Sequence, residues 1–267
     1  MKGSVMAALE GKVALVTGGT RSVGRGIAIG LGEAGATVFV TGRSITGRHV
    51  AEVTKSGGRG IALRCDHSDD AAVAQAFEQI AAEVGRLDIL VNNAWGGYTR
   101  LRNRAANTGF KWKAPFWTQP FDLWDEMHLV GVRSTYIASS LAAPIMIAQG
   151  SGLIVNISFY AARRYYGNVA YGAAKSATDA MSRDMAEELR PHGVAALSLY
   201  PGHVIDKKKG KMPKRETAQF VGRGVAALAA DPQVMARSGE IQEAAHLARA
   251  YGFTDIDGTQ PQPYDRL

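Results

Sequence analysis

The sequence predicts a single doubly wound α/β domain, with a parallel seven-stranded sheet and helices on both faces. Three observations carry this. Short runs rich in Val, Ile and Leu alternate with helical stretches, the pattern of strands buried on both faces and joined by crossovers. The first run ends in a glycine-rich turn that opens a helix. A chain of 267 residues, 46% hydrophobic, suits one large domain and is too apolar for disorder.

Taken in order, residues 12–17 form the first predicted strand, and 27–34 form a helix closed by Gly35. Between them lies Thr17-Gly18-Gly19-Thr20-Arg21-Ser22-Val23-Gly24. Such a loop lets a diphosphate approach the backbone and meet the free N–H groups of a helix start. A plain glycine turn without a ligand is the competing reading. Residues 37–41 give strand two, followed by Gly42-Arg43-Ser44. No carboxylate stands there to take ribose hydroxyls; Arg43, with Arg21, suits a 2′-phosphate, so NADPH is favoured over NADH.

Residues 60–65 read as strand three, with Asp66 placed just past its end to bond an adenine. Ser68-Asp69-Asp70 caps a helix running to about residue 84, and residues 87–92 give strand four, entering Asn92-Asn93-Ala94. Residues 95–120 break the rhythm, interleaving Trp95, Tyr98, Phe110, Trp112, Phe116 and Trp117 with basic residues. A lid or wall over an apolar substrate fits this insertion beside a cofactor site better than a nucleic-acid surface does. A helical stretch over 121–149 is interrupted by Gly131 and Pro144. Strand five follows at 152–158, a helix at 169–190, strand six at 194–200, then Pro201-Gly202. A lysine-rich, mobile substrate loop near 203–217, a helix over 218–230 and a short strand near 239–241 complete the domain.

The formal charge of +7 is concentrated in residues 100–113 and 207–215. Solvated loops account for it better than a nucleic-acid patch, since no nucleic-acid-binding motif accompanies it. The histidines show no paired ligand spacing, so no metal is expected. Ser158 lacks the glycine pattern of a hydrolase nucleophile. No apolar run of about 20 residues predicts a bilayer span, and residues 1–11 do not read as a signal peptide. The single cysteine, Cys65, fits a cytoplasmic setting.

The chemistry gathers at Tyr171 and Lys175, one helical turn apart on the same face. A nearby ammonium is expected to lower the phenol's pKa and make Tyr171 a usable acid or base. Combined with the glycine loop, Asn92-Asn93-Ala94, Ser158 thirteen residues before Tyr171, and Pro201-Gly202, the pair resembles the short-chain dehydrogenases/reductases, which have a Rossmann fold. The resemblance covers residues 11–243. Trp124-Asp125, Val130-Gly131 and the tail around Tyr251-Gly252 and Asp257-Gly258 make the subgroup similar to the dehydrogenase/reductase family member 1 type.

The resemblance implies an NADPH-dependent reduction of an apolar or aromatic ketone or aldehyde, or the reverse oxidation. By it, Tyr171 exchanges the proton, Lys175 lowers the phenol's pKa and holds the nicotinamide ribose, and Ser158 bonds the substrate oxygen. Thr17, Gly18, Arg21, Ser22, Val23, Gly24, Arg43, Asp66, Asn92 and Ala94 would line the dinucleotide, and Pro201, Gly202 and Val204 would border the nicotinamide. A homodimer or homotetramer is also implied. Four departures stand out: Ser22 replaces a glycine of the loop, Trp95 another glycine, and Asp206 a threonine near the cofactor amide. Gly131 stands where an asparagine commonly anchors a water relay to the lysine. His128, a turn earlier, is a candidate replacement, although a packed helix histidine is the plainer reading. Ser22, Gly131 and Asp206 keep open a second function, a non-catalytic NADP(H)-binding regulator or scaffold.

Overall fold

The computed structural model describes residues 8–98, 110–205 and 215–264. Its centre is a parallel sheet of seven strands: β1 (Val13–Val16), β2 (Thr37–Gly42), β3 (Arg59–Arg64), β4 (Ile89–Asn92), β5 (Gly152–Ile157), β6 (Val194–Tyr200) and β9 (Ile241–Glu243). Their order is β3-β2-β1-β4-β5-β6-β9. The chain therefore reverses its direction of winding between β1 and β4, opening a crevice at the carboxyl ends of those strands. A separate parallel pair, β7 (Val204–Ile205) with β8 (Glu216–Thr217), brackets the lysine-rich loop.

Alternation along each strand feeds two cores. On β1, Ala14 and Val16 enter one, and Val13 and Leu15 the other. The first core is covered by α1 (Ser22–Glu33), α7 (Ala218–Ala230) and α8 (Ala244–Tyr251); the second by α3 (Asp70–Val84), α5 (Ser134–Gln149) and α6 (Val169–Leu189). Helices α1 and α7 meet backbone to backbone, since a Cβ on Gly26 would fall inside Ala218 and one on Gly222 inside Gly26. This contact fixes α1, and with it the glycine loop, against the sheet.

Several boundaries differ from expectation. Helix α1 begins at Ser22, not at residue 27, because Val23, Gly24 and Arg25 already follow the helical path. An additional helix, α2 (Gly47–Lys55), follows β2; reciprocal bonds between Thr46 and His49 cap it, a signal the apolar pattern alone does not reveal. The last strand is shifted to Ile241–Glu243, and α8 follows it directly. The predicted helix over 121–149 is continuous but changes form, passing from α4 (Phe121–Met127) through a π-helical stretch at His128–Arg133 into α5. Within the 29-residue stretch Phe121–Gln149 an 18-residue window reaches a mean hydropathy of 1.2, enough by length and composition to cross a membrane, yet Ala138, Ala142 and Met146 bury their side chains in the second core.

Candidate active site

A cleft of about 780 Å³ opens at the carboxyl ends of β1 and β4, where the sheet order predicts a ligand. At one end it is lined by Gly18, Thr20, Arg21, Ser22, Val23, Arg43 and Asp66; at the other by Ser158, Tyr171, Lys175, Pro201, Gly202 and Val204. Ala94 lies between. Residues scattered over nearly two hundred positions of sequence thus share one cavity.

The glycine-loop end is built from backbone. Ser22 opens α1 with φ of +45°, the left-handed conformation a glycine would adopt freely, so the serine stands where the resemblance puts glycine without changing the path. Among the described residues no side-chain hydrogen bond caps α1. Asp66 accepts hydrogen bonds from the Ser68 amide (3.0 Å) and hydroxyl (2.8 Å). Burial works against its charge, but these donors and the nearby Arg43 hold the carboxyl below its ordinary range.

Three residues assigned to the cofactor lie just behind the lining. Asn92 is the clearest correction: its side chain turns into the sheet and donates to Ser139 Oγ (3.0 Å) and Asn156 Oδ1 (2.9 Å). Asn156 in turn donates to Ser182, and Ser182 pairs with Ser198, a buried polar chain that crosses the central strands. Asn93 is the neighbour that lines the cleft, its amide donating to the Thr17 and Gly18 carbonyls at 2.9 and 3.0 Å. Thr17 accepts from the Asn93 and Ala94 amides through Oγ1, locking the loop after β4 onto β1. Gly24 leaves room for the Asn93 amide group.

His67 was not singled out from sequence. It lines the cleft beside Asp66 and is nearly buried. Thr41 Oγ1 accepts from the Gly18 amide (3.1 Å) and shares a hydrogen bond with His67 Nε2 (2.7 Å). The His67 Nδ1 is buried without a partner among the described residues. Burial pushes the imidazole down to about 4, keeping it neutral. The neighbouring Cys65 thiol is pushed up to about 11 by burial and the carboxylates of Asp66 and Asp69, so it stays protonated.

The other end is walled with rings. Asn168 caps α6, accepting from the Tyr171 amide (3.0 Å) and donating to the Trp112 carbonyl (3.2 Å), which ties the helix to the aromatic insertion. Around Tyr171 stand Trp112, Trp95, Tyr98 and Phe159, with ring centroids at 5.3, 5.6, 6.3 and 6.3 Å. Gln119 gathers the carbonyls of Lys111, Trp112 and Ala114, which gives the insertion a folded base. Two aromatic residues the sequence reading passed over extend the wall: Tyr166 packs on Phe159 and bonds Tyr264 at 2.6 Å between hydroxyls. Residues 99–109 of the insertion and Asp206 with most of the lysine-rich loop lie outside the described residues. The ends of that loop are pinned, since Glu216 accepts from the Gly202 amide at 2.8 Å.

The electrostatics correct one expectation. Tyr171 is raised well above the ordinary phenol value, first by burial and then by the neighbouring Tyr98, its hydroxyl 3.4 Å away. Lys175 is itself lowered to about 8 by burial, against a partly compensating pull from Asp179. Its ammonium donates to the Ile157 carbonyl (2.9 Å) and lies 5.9 Å from the Tyr171 ring centre, so desolvation outweighs its pull on the phenol. Ser158 Oγ is 3.2 Å from the Lys175 carbonyl, to which it donates. His128 does not reach the lysine: it stacks on Trp124 at 3.7 Å and bonds that residue's carbonyl. No group of three or more metal-ligating side chains occurs among the described residues.

Comparison with known proteins agrees with this geometry. The family model described as short chain dehydrogenase matches residues 12–216. Dehydrogenase/reductase SDR family member 1 of Homo sapiens is 39% identical, over 97% of this chain and 87% of its own. Two solved structures superpose closely. A 7α-hydroxysteroid dehydrogenase complexed with NADH and 7-oxo glycochenodeoxycholic acid has a TM-score of 0.75 and 25% identity, covering 97% of this chain and 99% of that one. A metagenomic short-chain oxidoreductase in complex with NADP has a TM-score of 0.70 and 30% identity, covering 88% and 96%.

Proposed function

The chain belongs to the short-chain dehydrogenase family, NAD(P)-dependent oxidoreductases, and from that premise we propose that it reduces an apolar or aromatic ketone or aldehyde with NADPH. The observation that carries the reading is the shared cavity, which sets Tyr171, Lys175 and Ser158 within an aromatic wall and joins them to the Arg21–Arg43–Asp66 end.

The cleft fits a dinucleotide. It offers the N-terminus of α1, which no described side chain caps, two guanidinium groups, and the His67 Nδ1, unpartnered among the described residues. Gly18, Ser22 and Val23 would face the diphosphate, Arg21 and Arg43 a 2′-phosphate, and Asp66 the adenosine. Lys175, Pro201, Gly202 and Val204 would hold the nicotinamide half. When bound, the cofactor supplies the hydride.

The protein's own residues do the rest. Burial keeps Tyr171 protonated, which suits the acid that gives a proton to a carbonyl oxygen. Lys175, charged below about pH 8, provides the positive field behind that transfer. Ser158, whose hydroxyl donates to the Lys175 carbonyl in this structure, would turn its one hydrogen to the same substrate oxygen. Trp95, Tyr98, Trp112 and Phe159 exclude water and favour a planar or apolar carbonyl compound.

The non-catalytic alternative rested on three departures, at Ser22, Gly131 and Asp206; Ser22 takes the glycine-like conformation, and Trp95 fills the space beside Gly131. A panel of aliphatic, alicyclic and aromatic carbonyls, assayed with NADPH and NADH side by side, tests the reading. Oxidation of NADPH by an aromatic or alicyclic member, at higher kcat/KM than with NADH, is the expected result. Binding of NADPH with no turnover of any member would favour the regulator.

A further inference from the structure

Trp95 and Gly131 compete for one space. A Cβ placed on Gly131 would lie within 2.5 Å of Trp95 Cε3, and Cζ3 crowds the same position. The benzene ring of the indole therefore occupies the volume that any side chain at 131 would enter. Gly131 is also at the centre of the π-helical stretch His128–Arg133, a local widening of the helix that is frequent at functional sites.

The indole placed there faces the ammonium. Lys175 Nζ is 4.4 Å from the Trp95 ring centre, inside the roughly 6 Å range in which a ring face attracts a cation. The same indole meets Tyr171 edge-on at 5.6 Å. Its Nε1 is buried with no hydrogen-bond partner among the described residues, so packing alone, including the missing side chain at 131, sets the ring's position. An ammonium carries three donors, and Lys175 spends one on the Ile157 carbonyl.

We propose that Trp95 is a positioning residue, whose ring face holds the Lys175 ammonium beside Tyr171, and that Gly131 is the space this arrangement requires. The inference rests on the catalytic reading of Tyr171 and Lys175. Among the described residues, the titratable groups near Lys175 are Tyr171 and Asp179, both on its own helix. Tyr200 of β6 donates to Asp179 from behind, Tyr98 approaches Tyr171, and the packed faces of Trp95 and Ile157 bring no charge.

Two readouts test it, one of them independent of turnover. Tryptophan emission of the wild-type protein, titrated with pH, should step with a midpoint near the Lys175 value of about 8. The step should vanish in Lys175→Met and in Trp95→Phe. For the second, the fastest carbonyl of the panel is reduced with NADPH across pH. Trp95→Leu keeps the lysine dry but removes the ring face, so it destabilises the charged form. Its basic limb in kcat should move down by about half to one pH unit, a shift that loss of the substrate wall alone, which raises KM, would not produce.

Substitution at 131 supplies the steric arm. Gly131→Ala should displace the indole and lower kcat by about tenfold, whereas the same change in a Trp95→Phe background, where the fused ring is gone, should cost little. Trp95→Phe also guards against misfolding of the leucine variant. An emission profile that is the same in wild type and Lys175→Met overturns the proposal. So does a basic limb that Trp95→Leu leaves in place while Lys175→Met abolishes turnover. If Lys175→Met keeps wild-type turnover, the catalytic reading falls instead, and the emission arm alone decides whether the ammonium lies on the indole.

Discussion

At one end of the cleft, ligand-facing groups stand on backbone: Gly18, the turn at Ser22, and the start of α1, held by Gly26 against α7. At the other end they stand on side chains, with Tyr171 and Lys175 embedded among Trp95, Tyr98, Trp112 and Phe159. The first end departs from its family pattern by one residue, and the fold absorbs the change in a single φ angle. The second departs at Trp95 and Gly131 together, and each makes room for the other. A backbone site tolerates substitutions that preserve a dihedral angle. A side-chain site tolerates them in complementary sets, because close packing leaves no space unclaimed.

The sharpest attempt to break this contrast is at the aromatic end. Tyr171→Phe preserves the ring packing and removes the proton, so kcat is expected to fall by about 10²–10⁴-fold with little change in melting temperature. Steady-state kinetics beside a thermal melt check this; an unchanged kcat would make Tyr171 a packing residue. At the glycine-loop end, Arg43→Ala is expected to raise the KM for NADPH by about 10–100-fold, the value of a charged hydrogen bond or two, and leave that for NADH nearly unchanged. Equal effects on both cofactors would detach Arg43 from the 2′-phosphate.

Lys175→Met probes the cost of burying the ammonium. The folded-state value of about 8 lies below the usual lysine value, so the native protein binds fewer protons than the unfolded chain between about pH 8 and 10.5. This group therefore penalises folding below pH 8, and the penalty fades as pH rises through that window. Methionine removes the penalty but orphans the Ile157 carbonyl, so a net gain of about 1–2 kcal/mol is expected at pH 7. Denaturant melts of both proteins from pH 7 to 10.5 should show the gain shrinking with pH. A constant difference would mean that the lysine is hydrated.

The smallest effect belongs to Ser22→Gly. Relief of the left-handed serine is expected to add about 0.5–1 kcal/mol of stability, readable as a rise in melting temperature. A loss instead would show that the Ser22 side chain makes a contact worth more than the strain.

Much of the fold was legible because its determinants are local. The apolar runs at 12–17, 37–41 and 194–200 announce strands by residue type, and the helix expected over 169–190 stands at Val169–Leu189. The capping of α2 by Thr46 and His49 was also local, but His49 is an unusual partner in that motif and the helix went unread. The family resemblance put Asn92 at the cofactor; in the sheet its side chain points to Ser139 and Asn156, since neighbouring residues of a strand face opposite sides. Tyr166 and Tyr264 meet across 98 positions, and no spacing rule brings them together.

Sequence by itself determined the class of the molecule: the order of strands and helices, the glycine loop, and a tyrosine four residues before a lysine. These are short-range facts, written in periodicity and spacing. The tertiary structure decided the state of that pair. Burial raised the phenol and lowered the ammonium, an effect that depends on what surrounds them rather than on their separation. It also decided that Trp95 and Gly131, read separately as two departures, are one feature, because only packing shows that both claim the same volume beside Lys175.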